Sequence, residues 1–220
     1  PAPRGVMVDR DGRLVATNIL VDGKTTRHYP DGEVVAAAVG YLSEGKGVAG
    51  LEKQYQTDLA GVDGQRVFSE TAGGAEVEEV SLVAPEPGKK LALNLVLGLS
   101  TAAYQALKGK LAEVGKGGSA IVSAVNGEVL ALVSLPSFDA NIFSKKLTKE
   151  DAQKLFNNTD LPLFNRVISG AYPSGSIIKP VYAAAALAEK IINKNTTVLS
   201  TGGLKIGKWD FPDWKAGGHG

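Results

Sequence analysis

The 220-residue chain is almost neutral, with 24 Lys and Arg residues against 23 Asp and Glu residues, and 44% of its residues are hydrophobic. This length and composition suffice for one large globular domain or two smaller ones. The charge balance and the lack of long basic runs exclude a typical nucleic-acid-binding surface. Without cysteine, the chain has no disulfide, thiolate metal site or cysteine nucleophile. No apolar run is long enough to span a membrane.

Residues 1–85 are rich in Gly and Asp and predict an irregular, β-rich first module with little helix. The β-favouring runs are 13–16, 66–69 and 76–83. Pro85-Glu-Pro-Gly88 is typical of a linker, because the two prolines fix an extended backbone and the glycine frees it again. We therefore predict a second module over residues 86–220.

The second module opens with a predicted buried strand at Leu91–Leu97 and a helix that begins at Ser100 and ends near Val114. Two β runs then flank Asn126-Gly127, which predicts a hairpin with a tight type I′ turn. The pair Thr148 and Asp151 has the spacing of a capping box and predicts a short helix. A loop is expected from there to Ser176.

Ser176 and Lys179 stand three residues apart at the start of an apolar run. The bare Ser-x-x-Lys spacing is weak, because roughly one instance is expected by chance in this composition. Ser43 and Lys46 share it in a glycine-rich stretch that does not favour a helix. Pro180 distinguishes the later pair, since proline fits only the first turn of a helix. The helix should therefore begin close to Ser176.

A helix that begins at Ser176 places the Ser176 and Lys179 side chains on one face, where the helix dipole favours negative charge. The residues from Val181 to Leu187 are nearly all apolar, so we expect this helix to be buried at the centre of its domain. Burial favours an uncharged amine, which makes Lys179 a candidate general base for a Ser176 nucleophile. Alternatively, Ser176 caps the helix and Lys179 extends into solvent. Spacing and context leave both interpretations open.

The stretch "YPSGSIIKP" (172–180) resembles the active-site serine motif of penicillin-binding proteins. It follows "PLFNRVISGA" (162–171), which resembles the Asn-Arg segment of the class B enzymes. Further stretches that resemble class B proteins occur in the family's order, at residues 3–18, 27–64 and 132–143. The final "FPDWKAGGHG" (211–220) resembles the elongation-type branch, the penicillin-binding protein 2-like enzymes.

This resemblance implies an α+β fold in two parts. Residues 1–85 would form a pedestal, or dimerisation-like, module. Residues 86–220 would form the N-terminal part of a transpeptidase domain, in which an antiparallel sheet packs on helices. The implied activity is a peptidoglycan D,D-transpeptidase of cell-wall elongation, in which Ser176 is acylated by a stem peptide and Lys179 carries the proton. The resemblance implies no cofactor and no metal ion.

The resemblance also implies partners and a location. The partners are peptidoglycan stem peptides, β-lactam antibiotics and a polytopic membrane glycosyltransferase, and nucleic acid is not among them. The expected location is the periplasmic face of the cell membrane, with the anchor outside this chain. An alternative of another class is a non-catalytic penicillin-binding scaffold or β-lactam sensor.

Two departures from the family pattern qualify these expectations. The Ser-x-Asn and Lys-Thr/Ser-Gly elements of the family are absent from the sequence. We therefore expect the chain to be the N-terminal part of a longer protein and to be inactive alone. Residues 19–26 also replace a much longer excursion in relatives, which weakens the expectation of a glycosyltransferase partner.

Other polar groups were considered as sites. Asp210, Asp213 and His219 lack a fourth ligand and are expected to form loop hydrogen bonds in preference to a metal site. Glu52 is expected to form a surface or pedestal ion pair. Two further expectations concern small groups: a charge cluster in the pedestal, formed by Arg4, Asp9 and Arg10, and a turn ordered by Asp139 and Asn141.

Overall fold

The computed structural model describes residues 1–70, 76–115 and 117–219. Its internal contacts divide the chain into two compact units, Pro1–Ala171 and Tyr172–Gly220. The strands are β1 (Met7–Val8), β2 (Leu14–Val21), β3 (Lys24–His28), β4 (Leu42–Ser43), β5 (Lys46–Gly47), β6 (Gln65–Glu70), β7 (Glu76–Val83), β8 (Leu91–Ala92), β9 (Gly118–Ser123), β10 (Val129–Leu135), β11 (Gly203–Ile206) and β12 (Trp209–Pro212). The helices are α1 (Gly32–Val39), α2 (Gly50–Gln54), α3 (Gln56–Ala60), α4 (Leu97–Val114), α5 (Lys149–Phe156), α6 (Arg166–Ser169) and α7 (Lys179–Ala188), with 3₁₀ turns at Ala140–Ser144 and Gly175–Ile178.

The first unit contains a four-stranded sheet in the order β3-β2-β1-β8. Strands β1, β2 and β3 are antiparallel, and β8 joins β1 in parallel with Met7 opposite Leu91. The β2–β3 hairpin turns at Asp22 and Gly23, which both have positive φ. This sheet therefore unites the start of the chain with residues that follow the Pro85–Gly88 segment.

The main hydrophobic core of the first unit packs this sheet against α1 and the start of α4. Its buried members come from both sides of Pro85–Gly88, and they include Tyr29, Val35 and Leu59 before it and Leu97 and Ala140 after it. Hydrophobic burial is the dominant stabilising contribution in folding. Residues from both predicted modules therefore contribute to one core.

A second, smaller core lies between α4 and the β9–β10 hairpin. Tyr104 of α4 packs there against Val133 and Leu135 of β10. Val34 of α1 contacts both cores. The Tyr104 hydroxyl donates a hydrogen bond of 2.6 Å to Glu33, so a polar contact also joins α4 to α1.

The predicted α+β class is confirmed, and so are several local elements. Strand β7 spans the predicted range, Glu76–Val83. The capping box is present, since the Thr148 hydroxyl accepts from Asp151 N and the Asp151 carboxylate accepts from Thr148 N. Strands β9 and β10 form the predicted antiparallel hairpin. These elements have signals that lie within a few neighbouring residues.

Other expectations are wrong. Residues 1–85 contain α1, α2 and α3, so the first module is more helical than predicted. The strand predicted at Leu91–Leu97 is only Leu91–Ala92 long, and α4 begins at Leu97 and not at Ser100. The reason lies outside the local pattern: Asp9, far back in the chain, accepts a hydrogen bond from Leu97 N at the start of this helix.

The turn between β9 and β10 is also wider than the two-residue turn that we predicted. Residues 124–128 connect the strands, and Gly127 N donates to Ala124 O. Gly127 has positive φ, whereas Asn126 does not. A type I′ turn requires positive φ at both central residues, so this loop belongs to a longer class of hairpin connection.

The second unit consists of the 3₁₀ turn at Gly175–Ile178, helix α7 and the β11–β12 hairpin. Residues 179–188 of α7 are exposed or half-exposed, which contradicts the expectation of a buried central helix. Among the described residues, the element that contacts α7 most extensively is the 3₁₀ turn before it. Within the part of the chain that the structure describes, none of the helices is long and apolar enough to cross a bilayer.

Candidate active site

Ser176 and Lys179 lie at the junction of two helical segments. Ser176 belongs to the 3₁₀ turn Gly175–Ile178, and Lys179 is the first residue of α7. The Lys179 backbone N–H donates to Ser176 O. A 3₁₀ turn has three residues per turn, so residues i and i+3 stand in line. Pro180 lies in the first turn of α7, as predicted, where no backbone donor is lost.

The described contacts do not support the first half of the alternative interpretation, in which Ser176 caps the helix. They agree with its second half, because Lys179 is exposed and not buried as the general-base interpretation expected. The N-cap positions are Ser174 for the 3₁₀ turn and Ile178 for α7, and neither makes a side-chain capping bond. Within residues 1–70, 76–115 and 117–219, the Ser176 hydroxyl and the Lys179 ammonium make no hydrogen bond to each other or to another group. Both residues are exposed. The site therefore presents an accessible hydroxyl and amine with no structural hydrogen bonds.

The segment before the serine is held by polar contacts that sequence reasoning missed. The Arg166 guanidinium donates to three backbone carbonyls, those of Asp160 (2.5 Å), Leu161 (3.1 Å) and Phe164 (3.4 Å). Asn165 donates to Ala37 O of α1 at 2.7 Å. The Asn-Arg resemblance marked this segment, but the local sequence carries no signal for the acceptors.

A groove of about 220 Å³ lies beside this segment in the first unit. Its walls come from α1, the Pro162–Asn165 loop and α6, together with Tyr41 and Phe138. Tyr41 stacks on Phe143 at 3.7 Å between ring centroids. Burial raises the pKa of the Tyr41 hydroxyl, so that hydroxyl stays neutral at physiological pH. The groove contains no second acid or base that would act with it.

The candidate metal ligands near residue 219 do not form one group. Asp213 accepts from the Ser200 hydroxyl at 3.1 Å and lies 3.3 Å from His219 Nε2. Asp210 instead faces Lys205 at 3.9 Å. Burial raises the pKa of Asp213, but the Ser200 hydrogen bond and the other contacts outweigh it and hold that pKa below its usual value. In the described ranges, no cluster of three or more His, Asp or Glu residues is arranged for a metal ion.

Glu52 is the centre of a buried ion-pair network, and not a surface residue. Its carboxylate accepts from Arg4 Nε at 2.7 Å, from Arg27 Nε at 2.8 Å and from the Tyr29 hydroxyl at 3.1 Å. Glu52 is fully buried and Arg27 nearly so. The expected ion pair is confirmed, whereas the expectation of surface exposure is wrong, because both arginines enclose the carboxylate.

The predicted charge cluster of Arg4, Asp9 and Arg10 does not exist. Arg4 belongs to the Glu52 network, and Arg10 pairs with Glu128 at the end of the β9–β10 hairpin. Asp9 is buried and makes no ion pair in the described residues. Its carboxylate accepts from the backbone N–H groups of Asp11, Arg13 and Leu97.

The predicted role of Asp139 and Asn141 is confirmed. Asp139 accepts from Asn141 N at 3.0 Å and so orders the 3₁₀ turn Ala140–Ser144. Asn141 reaches further, because its amide accepts from Tyr29 N at 2.9 Å and donates to Tyr29 O at 2.8 Å.

Comparison with known proteins identifies two domains in this chain. Residues 117–219 match the penicillin binding protein transpeptidase domain, and residues 4–77 match the penicillin binding protein A dimerisation domain. Peptidoglycan D,D-transpeptidase MrdA of Acinetobacter baumannii is 31% identical over 92% of this chain and 32% of its own length. MrdA of Escherichia coli K12 is 31% identical over 92% of this chain and 35% of its own length. The chain thus spans about a third of the length of these curated relatives.

Solved structures agree with these matches. Pseudomonas aeruginosa PBP2, solved in complex with WCK 5153, has a TM-score of 0.77 at 29% identity and is matched over 100% of this chain and 47% of that one. Helicobacter pylori PBP2, solved with MreC, shares the fold with a TM-score of 0.82 at 22% identity, over 100% of this chain and 57% of that one. The two matched domains place this chain among the penicillin-binding proteins, and its relatives named MrdA are consistent with the elongation-type class B branch predicted from its sequence.

Proposed function

We propose that this chain provides the nucleophile of a peptidoglycan D,D-transpeptidase that crosslinks stem peptides during cell-wall elongation. The observation that carries the proposal is the placement of Ser176 and Lys179 three residues apart where α7 begins, within the segment that matches a transpeptidase domain. The relatives named D,D-transpeptidase support it. The 220 residues contain the first of three family motifs, so the activity belongs to the full-length protein.

The proposed reaction follows from the groups at the start of α7. The Ser176 Oγ attacks the carbonyl of the penultimate D-alanine, the Lys179 amine accepts its proton, and the terminal D-alanine leaves. The first N–H groups of a helix have no partner within the helix, so Ser176 N–H is available as one donor to the tetrahedral oxygen. An amine from a second stem peptide then takes the acyl group and frees Ser176.

Further parts of the proposal concern organisation, partners and location. Residues 1–85 act as the pedestal and residues 86–220 as the first part of the transpeptidase domain. The protein acts at the periplasmic face of the cell membrane and binds β-lactams through Ser176. A polytopic membrane glycosyltransferase is its partner in wall synthesis. Helicobacter pylori PBP2 was solved in complex with MreC, which supports a second, MreC-like protein partner for this chain.

Covalent labelling with a fluorescent penicillin tests the nucleophile. The full-length protein should be labelled, and Ser176→Ala and Lys179→Ala should abolish labelling, because they remove the attacking oxygen and its base. Ser174→Ala is the matched control, since Ser174 is an exposed serine two residues away without a side-chain capping bond. Labelling that persists in Ser176→Ala, or no labelling of the unmodified protein, contradicts the proposal.

A second measurement separates a transpeptidase from the alternative, a β-lactam sensor. Both are acylated by penicillin, but only a transpeptidase passes the acyl group to an amine. The full-length protein should therefore form crosslinked product from stem-peptide substrates. Penicillin labelling without crosslinking would favour the sensor.

A further inference from the structure

The loop before α6 is held in a strained conformation by one arginine. Leu161 has φ of +51°, in the left-handed region that non-glycine residues rarely occupy. The Arg166 guanidinium bonds the carbonyl of Leu161 and, on either side of it, the carbonyls of Asp160 and Phe164. Such outliers persist only where surrounding contacts fix them, and they concentrate at functional sites.

The same segment is attached to the hairpin by Ser134, a buried residue of β10. The Ser134 hydroxyl accepts from Arg166 N at 3.0 Å and donates to Phe164 O at 3.2 Å. Ser134 thus bonds the backbone on both sides of Asn165, whose own side chain bonds Ala37 O of α1. The segment is therefore fastened to two separate elements of the first unit.

Gly117 completes the arrangement. A Cβ at this position would lie 2.6 Å from Arg166 Nε, so the glycine leaves the space in which the guanidinium lies. The guanidinium also stands 5.8 Å from the Phe164 ring centroid. Three backbone carbonyls, the Phe164 ring and the space left by Gly117 therefore fix the position of the Arg166 guanidinium. An arginine that served only solubility would not need these contacts.

We propose that Arg166 is a positioning residue for Ser176, and this inference rests on the proposed function. The chain leaves the fastened segment at Gly170 and reaches Ser176 within the next six residues, one of which is the rigid Pro173. Arg166 and Ser134 fix the start of that connection. They therefore limit the freedom of the nucleophile without touching the substrate, and their contribution appears in the acylation step and not in initial binding.

The test measures acylation of the full-length protein by a fluorescent penicillin over a range of concentrations. This separates the affinity of the non-covalent complex from the rate constant of the covalent step. In Arg166→Ala the rate constant should fall about ten- to a hundredfold, because small displacements of a reacting group have effects of this size. The affinity of the non-covalent complex should change less than about twofold. The rate constant of Arg166→Lys should lie between those of the unmodified protein and Arg166→Ala, since lysine keeps the charge but lacks the rigid planar donor fork of the guanidinium.

Lys154→Ala is the control, because Lys154 forms an exposed ion pair on α5 and should leave both quantities unchanged. Ser134→Ala tests the same inference without altering the arginine, and it should slow the covalent step in the same direction. In Arg166→Ala and Ser134→Ala, a smaller fraction of labelled protein with an unchanged rate constant for the labelled molecules would mean only that fewer molecules fold. Arg166 would then be merely structural, and the inference is overturned. If the unmodified protein is not labelled, the proposed function fails, and the inference about Arg166 fails with it.

Discussion

Glu52 has no exposed surface, although a carboxylate strongly prefers water. Arg4, Arg27 and the Tyr29 hydroxyl compensate for that preference by bonding both of its oxygens. Burial and the Glu52 charge raise the pKa of Tyr29, so the hydroxyl remains a donor at physiological pH. Local sequence could not reveal this network, because Tyr29, Arg27 and Arg4 lie 23, 25 and 48 residues from Glu52 along the chain.

Replacing Glu52 should be among the most destabilising changes in the first unit. Glu52→Ala leaves two buried guanidinium groups without their anion, and breaking a buried pair in this way costs about 3–5 kcal/mol. The free energy of unfolding, measured by urea denaturation, should fall by that amount. Glu150→Ala, which removes a fully exposed ion pair on α5, is the control and should change it little. A fall no larger than that of the control would contradict a buried network.

Asp9 predicts a dependence of stability on pH. Burial acts to raise the pKa of its carboxyl group, but hydrogen bonds from the N–H groups of Leu97, Arg13 and Asp11 outweigh burial and hold the pKa below its usual value. A carboxylate with a lowered pKa stabilises the fold above the pKa of the unfolded chain, about 4, and this contribution is lost as the pH falls through the folded pKa.

Asp9→Asn should therefore destabilise the protein at neutral pH, since its amide group places a donor against a backbone donor. The difference in unfolding free energy between the two proteins should start to shrink as the pH falls below about 4, and it should become smallest below the lowered folded pKa, where the unmodified carboxyl is also protonated and becomes a donor. Urea denaturation at a series of pH values measures this difference. A difference that stays constant with pH would show that the Asp9 charge is not its source.

Helices were predicted correctly where a capping motif marks their start, and they were missed where tertiary packing is what stabilises them. The Thr148 capping box gave α5 correctly because donor and acceptor are three residues apart. Helix α1 has no side-chain cap, and its apolar residues face several neighbours. Its burial therefore produces no single apolar stripe in the sequence, and α1 was missed. The Ser176–Lys179 pair resembles the first case, since Pro180 fixes the helix start locally.

Gly40 at the end of α1 gives a prediction at the scale of an element. Its φ is +74°, and a Cβ would lie 2.0 Å from Ala49 O, where α1 approaches the start of α2. Gly40→Ala should lower the unfolding free energy by about 2–6 kcal/mol through backbone strain and overlap together. Gly12→Ala isolates the strain, because Gly12 has φ of +83° with nothing within 4 Å of its Cβ position. Equal costs for the two variants would argue against a close approach of α1 and α2.

The whole first unit depends on contacts between distant parts of the chain. The Asn141 amide bonds both the N–H and the carbonyl of Tyr29, a residue 112 positions earlier, much as a neighbouring strand would. The positions of Asp139 and Asn141 in a turn were predictable from sequence, but the partner was not. The same holds for Arg166, whose acceptors are backbone carbonyls of a loop in which Leu161 has positive φ.

Asn141→Ala should destabilise the entire unit and not only its own turn. Two backbone groups of the buried Tyr29 lose their partners, which costs about 2–4 kcal/mol in unfolding free energy. Thermal unfolding measures the loss, and hydrogen exchange should show faster exchange of the Tyr29 amide. Asn195→Ala, an exposed asparagine of the second unit, should have little effect. A local effect confined to residues 140–144 would contradict this prediction.

The shared core has a consequence for recombination. Met7, Tyr29 and Val35 pack together with Leu97 and Ala140, so a chimaera that joins residues 1–85 of this protein to the remainder of a homologue would combine two half-cores of different shape. A crossover placed after Ala171, where the first compact unit ends, would leave those contacts intact. Genetic exchange between related strains should therefore yield folded hybrids more often when the crossover lies after Ala171 than when it lies after residue 85.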